Sequence, residues 1–265
     1  MDTLKEYILA TRPWSFTAAV VPILVTAAVC NSDFLSTEFL RCLAIGVAVQ
    51  AGANLTNTYY DFVNGVDSKD TPCGEKTLVD AKVSDTGLLY LSFLFYAVGI
   101  IAIFPLVTAG DDHKLLYISA SGILLAYFYT ATPVGLKYMA LGDITIFLCF
   151  GPLLMECASL VLTGKLNYVL CVYSIPIGLL TEAILHANNA RDIKADTLAN
   201  AKTLATLVGF ENSYYIFVGL LVSTYTSIIG ISLYLNWGCL LTLISIPLAI
   251  GLEKQFREKK VFRLM

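Results

Sequence analysis

The sequence predicts an all-α membrane protein that crosses the bilayer eight times, in two four-helix repeats, with both termini cytoplasmic. Three observations carry this reading. First, 57% of the 265 residues are hydrophobic and 14% charged, with a mean hydropathy of +0.73, whereas soluble domains carry about 25% charged residues. Second, uncharged runs of membrane-spanning length recur along the whole chain. Third, the lysines and arginines between those runs fall fourteen on one side and three on the other, the asymmetry that places a basic side in the cytoplasm.

The spans follow in order. The N-terminus carries Asp2 and Glu6 around Lys5, and its apolar run begins only after Arg12. That matches a cleaved signal peptide poorly, so 13–32 is read as a retained first span. Uncharged runs at 42–60, 86–110 and 115–136 supply three more. Spans 144–164 and 166–190 are each interrupted by one acid, Glu156 and Glu182 respectively. The last uncharged run, 212–252, has 41 residues. As a single helix it would be roughly 60 Å long, twice the hydrocarbon thickness, so it is divided at Asn236-Trp237-Gly238. With these eight spans, Arg41, Lys114 and Lys165 lie opposite all other basic residues. The long loops 62–86 and 188–211 fall on the basic side, where an active site would need covers.

Composition also excludes some functions. A net charge of −3 without a basic, aromatic-interleaved patch argues against nucleic acid. Seven cysteines lie mostly inside apolar runs, without metal-ligand spacing, and read as small core hydrophobes.

Two polar stripes interrupt this apolar background. In NLTNTYYDFVNGVDSKD, Asn54, Asn57 and Asp61 share one helix face. In HANNARDIKAD, Asp192 and Asp196 are four residues apart and point the same way. Side-by-side carboxylates repel unless a cation lies between them. Oxygen ligands without Cys or His suit Mg²⁺, which bridges to substrate phosphates. The stripes therefore read as one cation-and-phosphate site, against the plainer alternative of solvated carboxylates past helix ends. Arg12, Lys76, Lys137 and Arg191 are the basic candidates for phosphate contact, with Asp143 a possible partner for Lys137. Glu182 and His186, one turn apart within a span, are either functional or a self-satisfied buried pair. Glu156 has no evident partner. Tyr59, Tyr60, Tyr127 and Tyr129 either pack or line a tunnel for a lipid chain and stabilise a cation.

NLTNTYYDF, GVDSKD, KTLVD, GLKYMALGD, FGPL and TEAILHANNARDIKAD together resemble the UbiA superfamily of intramembrane prenyltransferases. The similarity runs from RPWSF at 12–16 to LEKQFR at 252–257, and is greatest to the branch that makes menaquinone and vitamin K2. The resemblance implies one prenyltransferase domain over 1–265, a polyprenyl diphosphate donor such as geranylgeranyl diphosphate, and a naphthoquinol acceptor. Asn57, Asp61, Asp192 and Asp196 match the positions that hold Mg²⁺. Arg12, Lys76, Lys137, Asn188, Asn189 and Arg191 match those that receive diphosphate. Asp61, Asp192 and Asp196 are joined as catalytic candidates by Asp67 and Asp80, for acceptor deprotonation or orientation. The resemblance further implies endoplasmic reticulum or Golgi membranes. Two departures stand out: the family usually has nine helices where eight are read here, and Glu156 replaces an apolar or neutral residue. The competing readings are an ion-coupled secondary transporter and a non-catalytic lipid- or sterol-sensing membrane protein.

Overall fold

The computed structural model describes residues 2–69, 76–109 and 113–258, and among them the regular structure is helical throughout. Helix α1 (Asp2–Ala10) meets α2 (Thr17–Val29) through Arg12 at φ 53° and a short 3-10 turn, Pro13–Phe16. Then come α3 (Thr37–Val63), α4 (Asp85–Ala109), α5 (Lys114–Phe128) and α6 (Gly142–Leu148). A wide π-type turn, Cys149–Leu153, joins α6 to α7 (Leu154–Thr163). Helices α8 (Val169–Leu198) and α9 (Leu204–Tyr234) follow, and a 3-10 stretch, Trp237–Ser245, leads into α10 (Ile246–Arg257).

Among the described residues, seven helical stretches are long and apolar enough to cross a membrane, and the shorter apolar α5 makes an eighth segment. This matches the expected segments. The break near Asn236 is where it was expected: α9 stops at Tyr234, and the Asn236 side chain accepts the Gly238 N–H. Two expectations need correction. The fourth uncharged stretch, 115–136, does not continue as helix to 136; it leaves α5 after Phe128, because Pro133 lacks an N–H and Gly135 takes φ 58°. Residues 188–211 are not a long loop. Alanines at 187, 190 and 195 favour helix, so α8 continues to Leu198, and only 199–203 separates it from α9.

Lipid gives no hydrophobic drive for one apolar helix to seek another, so close packing and satisfied polar groups decide the arrangement. Small residues allow a close crossing between the α6–α7 kink and α8. A Cβ on Gly151 would stand 3.3 Å from the Ser174 carbonyl oxygen, and one on Gly178 would meet the Phe147 ring at 2.8 Å. One apolar cluster joins α2, α3, α4, α5 and α7 around Ile23, Phe39, Ile103, Leu115 and Val161. Another joins α8, α9 and α10, where Phe256 stacks on Phe217 with ring centroids 4.7 Å apart. A third, around Leu55, Leu78 and Leu88, lies beneath the segment that begins at Lys76.

Glu156, without a partner in sequence, has one in space. Its Oε2 accepts the Asn167 N–H at 3.1 Å and its Oε1 accepts the Cys171 thiol at 3.6 Å, so it ties the α7–α8 turn to α7. Glu156→Ala leaves that half-buried N–H unpaired and is expected to lower stability by about 1 kcal/mol. Glu156→Gln, which keeps an acceptor, is expected to recover most of it. Thermal unfolding in detergent measures both.

Candidate functional site

The C-terminal ends of α3 and α8 and the 129–141 segment converge on a cavity of about 1280 Å³. Its two ends differ in chemistry. Asn57, Asp61, Asp67, Asn188, Asn189, Asp192 and Asp196 line one part together with Arg12, Lys76, Lys137 and Arg191. Ile45, Ile103, Ile118, Leu154, Phe217 and Leu221 line the remainder. The two polar stripes therefore do share one space, as their spacing suggested. Eleven of the twelve residues singled out for catalysis, metal or diphosphate border it.

Asp61 is the pivot of the charged end. It is 4% exposed, and its carboxylate accepts the Lys137 ammonium at 2.7 and 2.8 Å and the Tyr138 hydroxyl at 2.9 Å. Its backbone carbonyl accepts the Val66 and Asp67 N–H groups at 2.8 and 3.1 Å. This reverses the chain at the end of α3 and turns Asp67 into the cavity. Burial disfavours the charge on Lys137, but Asp61 and then Asp196 outweigh it and hold the ammonium above its ordinary pKa. Burial and Asp61 likewise raise the Tyr138 phenol, which stays a neutral donor. Tyr129 borders the cavity, and burial, with Asp143 and Asp61 near, raises it well above its ordinary value.

On α8, Asp192 is held by its neighbour: Arg191 Nε donates to Oδ1 at 2.8 Å, and a second guanidinium nitrogen donates to Oδ2. Asp196, one turn further on, is 2% exposed, so the solvated-carboxylate alternative does not describe it. Arg12 donates to Thr58 Oγ1 at 3.3 Å, and Lys76 to the Ser68 carbonyl at 2.6 Å.

Several expectations resolve differently. Asp80 does not reach the cavity; it is an exposed group with Lys82 at 3.5 Å, because the 76–83 turn packs its apolar side, not its acid, inward. Asn54 borders the cavity, yet its amide donates to the Thr11 carbonyl at 2.7 Å and to Ser15 Oγ at 2.9 Å, fixing the turn that presents Arg12. Lys137 pairs with Asp61 and not with Asp143, whose Oδ1 lies 3.0 Å from His186 Nδ1. Of the four tyrosines, only Tyr129 borders the cavity; Tyr59, Tyr60 and Tyr127 pack with other rings. Tyr138 was missed altogether. It follows Lys137 in sequence and carries no periodic signal that would mark its hydroxyl for Asp61.

The chain matches the UbiA prenyltransferase family over residues 19–261. It is 39% identical over 270 residues to UbiA prenyltransferase domain-containing protein 1 of Dictyostelium discoideum, covering 98% of this chain and 82% of that one. The protein of that name from Mus musculus is 36% identical over 264 residues, covering 98% and 78%. Among solved structures, a UbiA homologue from Archaeoglobus fulgidus bound to DMAPP and Mg²⁺ superposes with a TM-score of 0.66 at 17% identity, covering 95% of this chain and 85% of that one. A digeranylgeranylglyceryl phosphate synthase superposes at 0.62 and 17% identity, covering 99% and 96%.

Two measurements test the geometry. Removing one partner of a buried ion pair is expected to cost about 3–5 kcal/mol, so Lys137→Met should destabilise strongly, while the Asp61→Asn/Lys137→Met double variant should fall well short of the summed single effects. Detergent unfolding of the three variants reads this cycle. In a ligand-binding assay, Asp67→Asn should weaken binding far more than Asp80→Asn.

Proposed function

The chain belongs to the UbiA prenyltransferase family, and from that premise we propose that it transfers a polyprenyl group from a polyprenyl diphosphate to a naphthoquinol acceptor, in the menaquinone and vitamin K2 class of reaction. The observation that carries the reading is the cavity itself. One end is ionic and the other apolar, which suits a donor with a diphosphate head and a hydrocarbon chain.

Mg²⁺ fits the ionic end. The side chains of Asn57, Asp61, Asp192 and Asp196 offer oxygen acceptors without Cys or His, the donor chemistry Mg²⁺ prefers. Asp61 already takes a cationic partner, the Lys137 ammonium, and buried Asp196 needs compensating positive charge. These four residues would hold the metal, with Asp67 bordering the same cavity. When bound, Mg²⁺ neutralises charge developing on the departing diphosphate.

The protein's own groups supply the rest. Arg12, Lys76, Lys137 and Arg191 face the same space as the carboxylates and would stabilise the leaving oxygens. Asn188 and Asn189 add amide contacts. Tyr129 and Tyr138 remain neutral, Tyr138 as a donor to Asp61. The apolar part holds the prenyl chain and excludes the water that would quench an allylic cation. The acceptor ring attacks that cation and then loses a proton; Asp67 is the acid we assign to orienting or deprotonating it.

The fourteen-to-three basic asymmetry supports placing the ionic end on the cytoplasmic face, while the family resemblance alone carries the assignment to endoplasmic reticulum or Golgi membranes and to one domain over 1–265. Membranes carrying the chain, supplied with Mg²⁺, geranylgeranyl diphosphate and menadiol, are expected to form prenylated naphthoquinone. Asp61→Ala and Asp192→Ala should each abolish product, and chelation should do the same reversibly. Product persisting in both variants would overturn the site. No product with any quinol acceptor would overturn the transferase reading in favour of a carrier or a lipid sensor.

A further inference from the structure

A second polar cluster lies between α6 and α8. Asp143 opens α6, and Glu182 and His186 sit one turn apart on α8. Their ligand atoms all lie within 4.8 Å of one another. None of the three borders the cavity, so the proposed transfer makes no use of them. His186 is fully buried and Glu182 is 5% exposed. Three polar atoms, Asp143 Oδ2, Glu182 Oε2 and His186 Nε2, are buried without a hydrogen-bond partner among the described residues. Each such orphan costs about 1–3 kcal/mol. Three of them on three touching residues, inside an apolar bundle, point to one shared ligand. Two carboxyl groups this close in a low dielectric also repel unless a cation or a proton lies between them.

We propose that Asp143, Glu182 and His186 form a second cation site, which takes a first-row transition-metal ion of the zinc class and staples α6 to α8. Its donor set separates it from the ionic end of the cavity. One imidazole nitrogen with two carboxylates suits Zn²⁺ and its neighbours, whereas an oxygen-only set suits Mg²⁺. Its place in the fold gives it a consequence. Gly142 precedes Asp143, and a Cβ there would stand 3.3 Å from the Tyr129 hydroxyl and 3.5 Å from the Lys137 Cα. Anchoring Asp143 to α8 therefore sets the base on which Lys137 and Tyr129 rest. The competing way to satisfy these atoms is a proton shared between the Asp143 and Glu182 carboxyl groups, which lie within reach of each other.

The full chain, purified without a polyhistidine tag and washed with chelator, is re-equilibrated with Zn²⁺ in excess Mg²⁺; elemental analysis gives the bound zinc, and X-ray absorption at the zinc edge gives its donors. The chain has two histidines, His186 and the exposed His113 before α5, so an imidazole donor has few sources. The expected result is stoichiometric zinc with one imidazole nitrogen, retained in His113→Ala and Asp61→Asn. Glu182→Gln and His186→Ala should weaken zinc roughly tenfold or more, in the range seen when a metal site loses a supporting group. Absence of stoichiometric zinc from the wild type, zinc held by oxygen alone, or zinc lost from a folded Asp61→Asn or His113→Ala variant would each overturn the proposal. The wild type carries the decisive measurement, so a variant that fails to fold does not obscure it. Zinc content is read without prenyl transfer, so failure of the transferase reading leaves this result standing.

Discussion

The contact between Asp61 and Lys137 organises the charged end of the molecule. At about 4 Å and an effective dielectric near 20, opposite unit charges attract by about 4 kcal/mol, and this pair is closer than that. Burial removes the water that would otherwise solvate both groups, so each depends on the other. One carboxylate thereby fixes the end of α3 to the 129–141 segment. Through its backbone oxygen the same residue sets the turn that delivers Asp67. Tyr138, bonded to Asp61 through its side chain, accepts the Lys202 N–H through its carbonyl at 3.2 Å. The entrance to α9 is thus registered on the exit of α3.

Away from that end the forces differ. Glycine contacts let α8 lie against the α6–α7 kink, and a buried glutamate in the first turn of α7 satisfies a backbone N–H of the α7–α8 turn that lipid could not. Helix α8 carries much of the polar content: Glu182 and His186 toward its middle, then Asn188, Asn189, Arg191, Asp192 and Asp196. A single 30-residue helix holds these groups in fixed relation, with a precision that separate loops would not provide.

The helical segments were legible because charge-free length and the positions of basic residues are direct consequences of the bilayer. The two acidic stripes were legible for a related reason: polar residues at helical spacing on an apolar helix need a partner, and the partner was the other stripe. Partnerships across the fold were not legible. Lys137 reaches back 76 residues to Asp61 and not forward to Asp143, which is nearer in sequence, and nothing in the local pattern separates these two acids. Asp67 and Asp80 have similar surroundings in sequence, and only the fold of the intervening turn puts one in the cavity and the other in contact with Lys82. Glu156 looked anomalous because its donor is a backbone N–H, and any residue could have supplied that. The extent of α8 is not legible from uncharged runs, because a helix continues through charge once it leaves the hydrocarbon.

The backbone pairing of Met139 with Lys202 has a kinetic meaning. The Ala140 N–H donates to the Lys202 carbonyl, and the Lys202 N–H to the Tyr138 carbonyl, so the connection before α6 and the connection between α8 and α9 are sewn into one piece. Neither can melt while the other stays folded without breaking both bonds. Local unfolding at the charged end is thus cooperative, a single opening event shared by the two connections. A molecule that enters from that side meets one barrier in place of two independent ones.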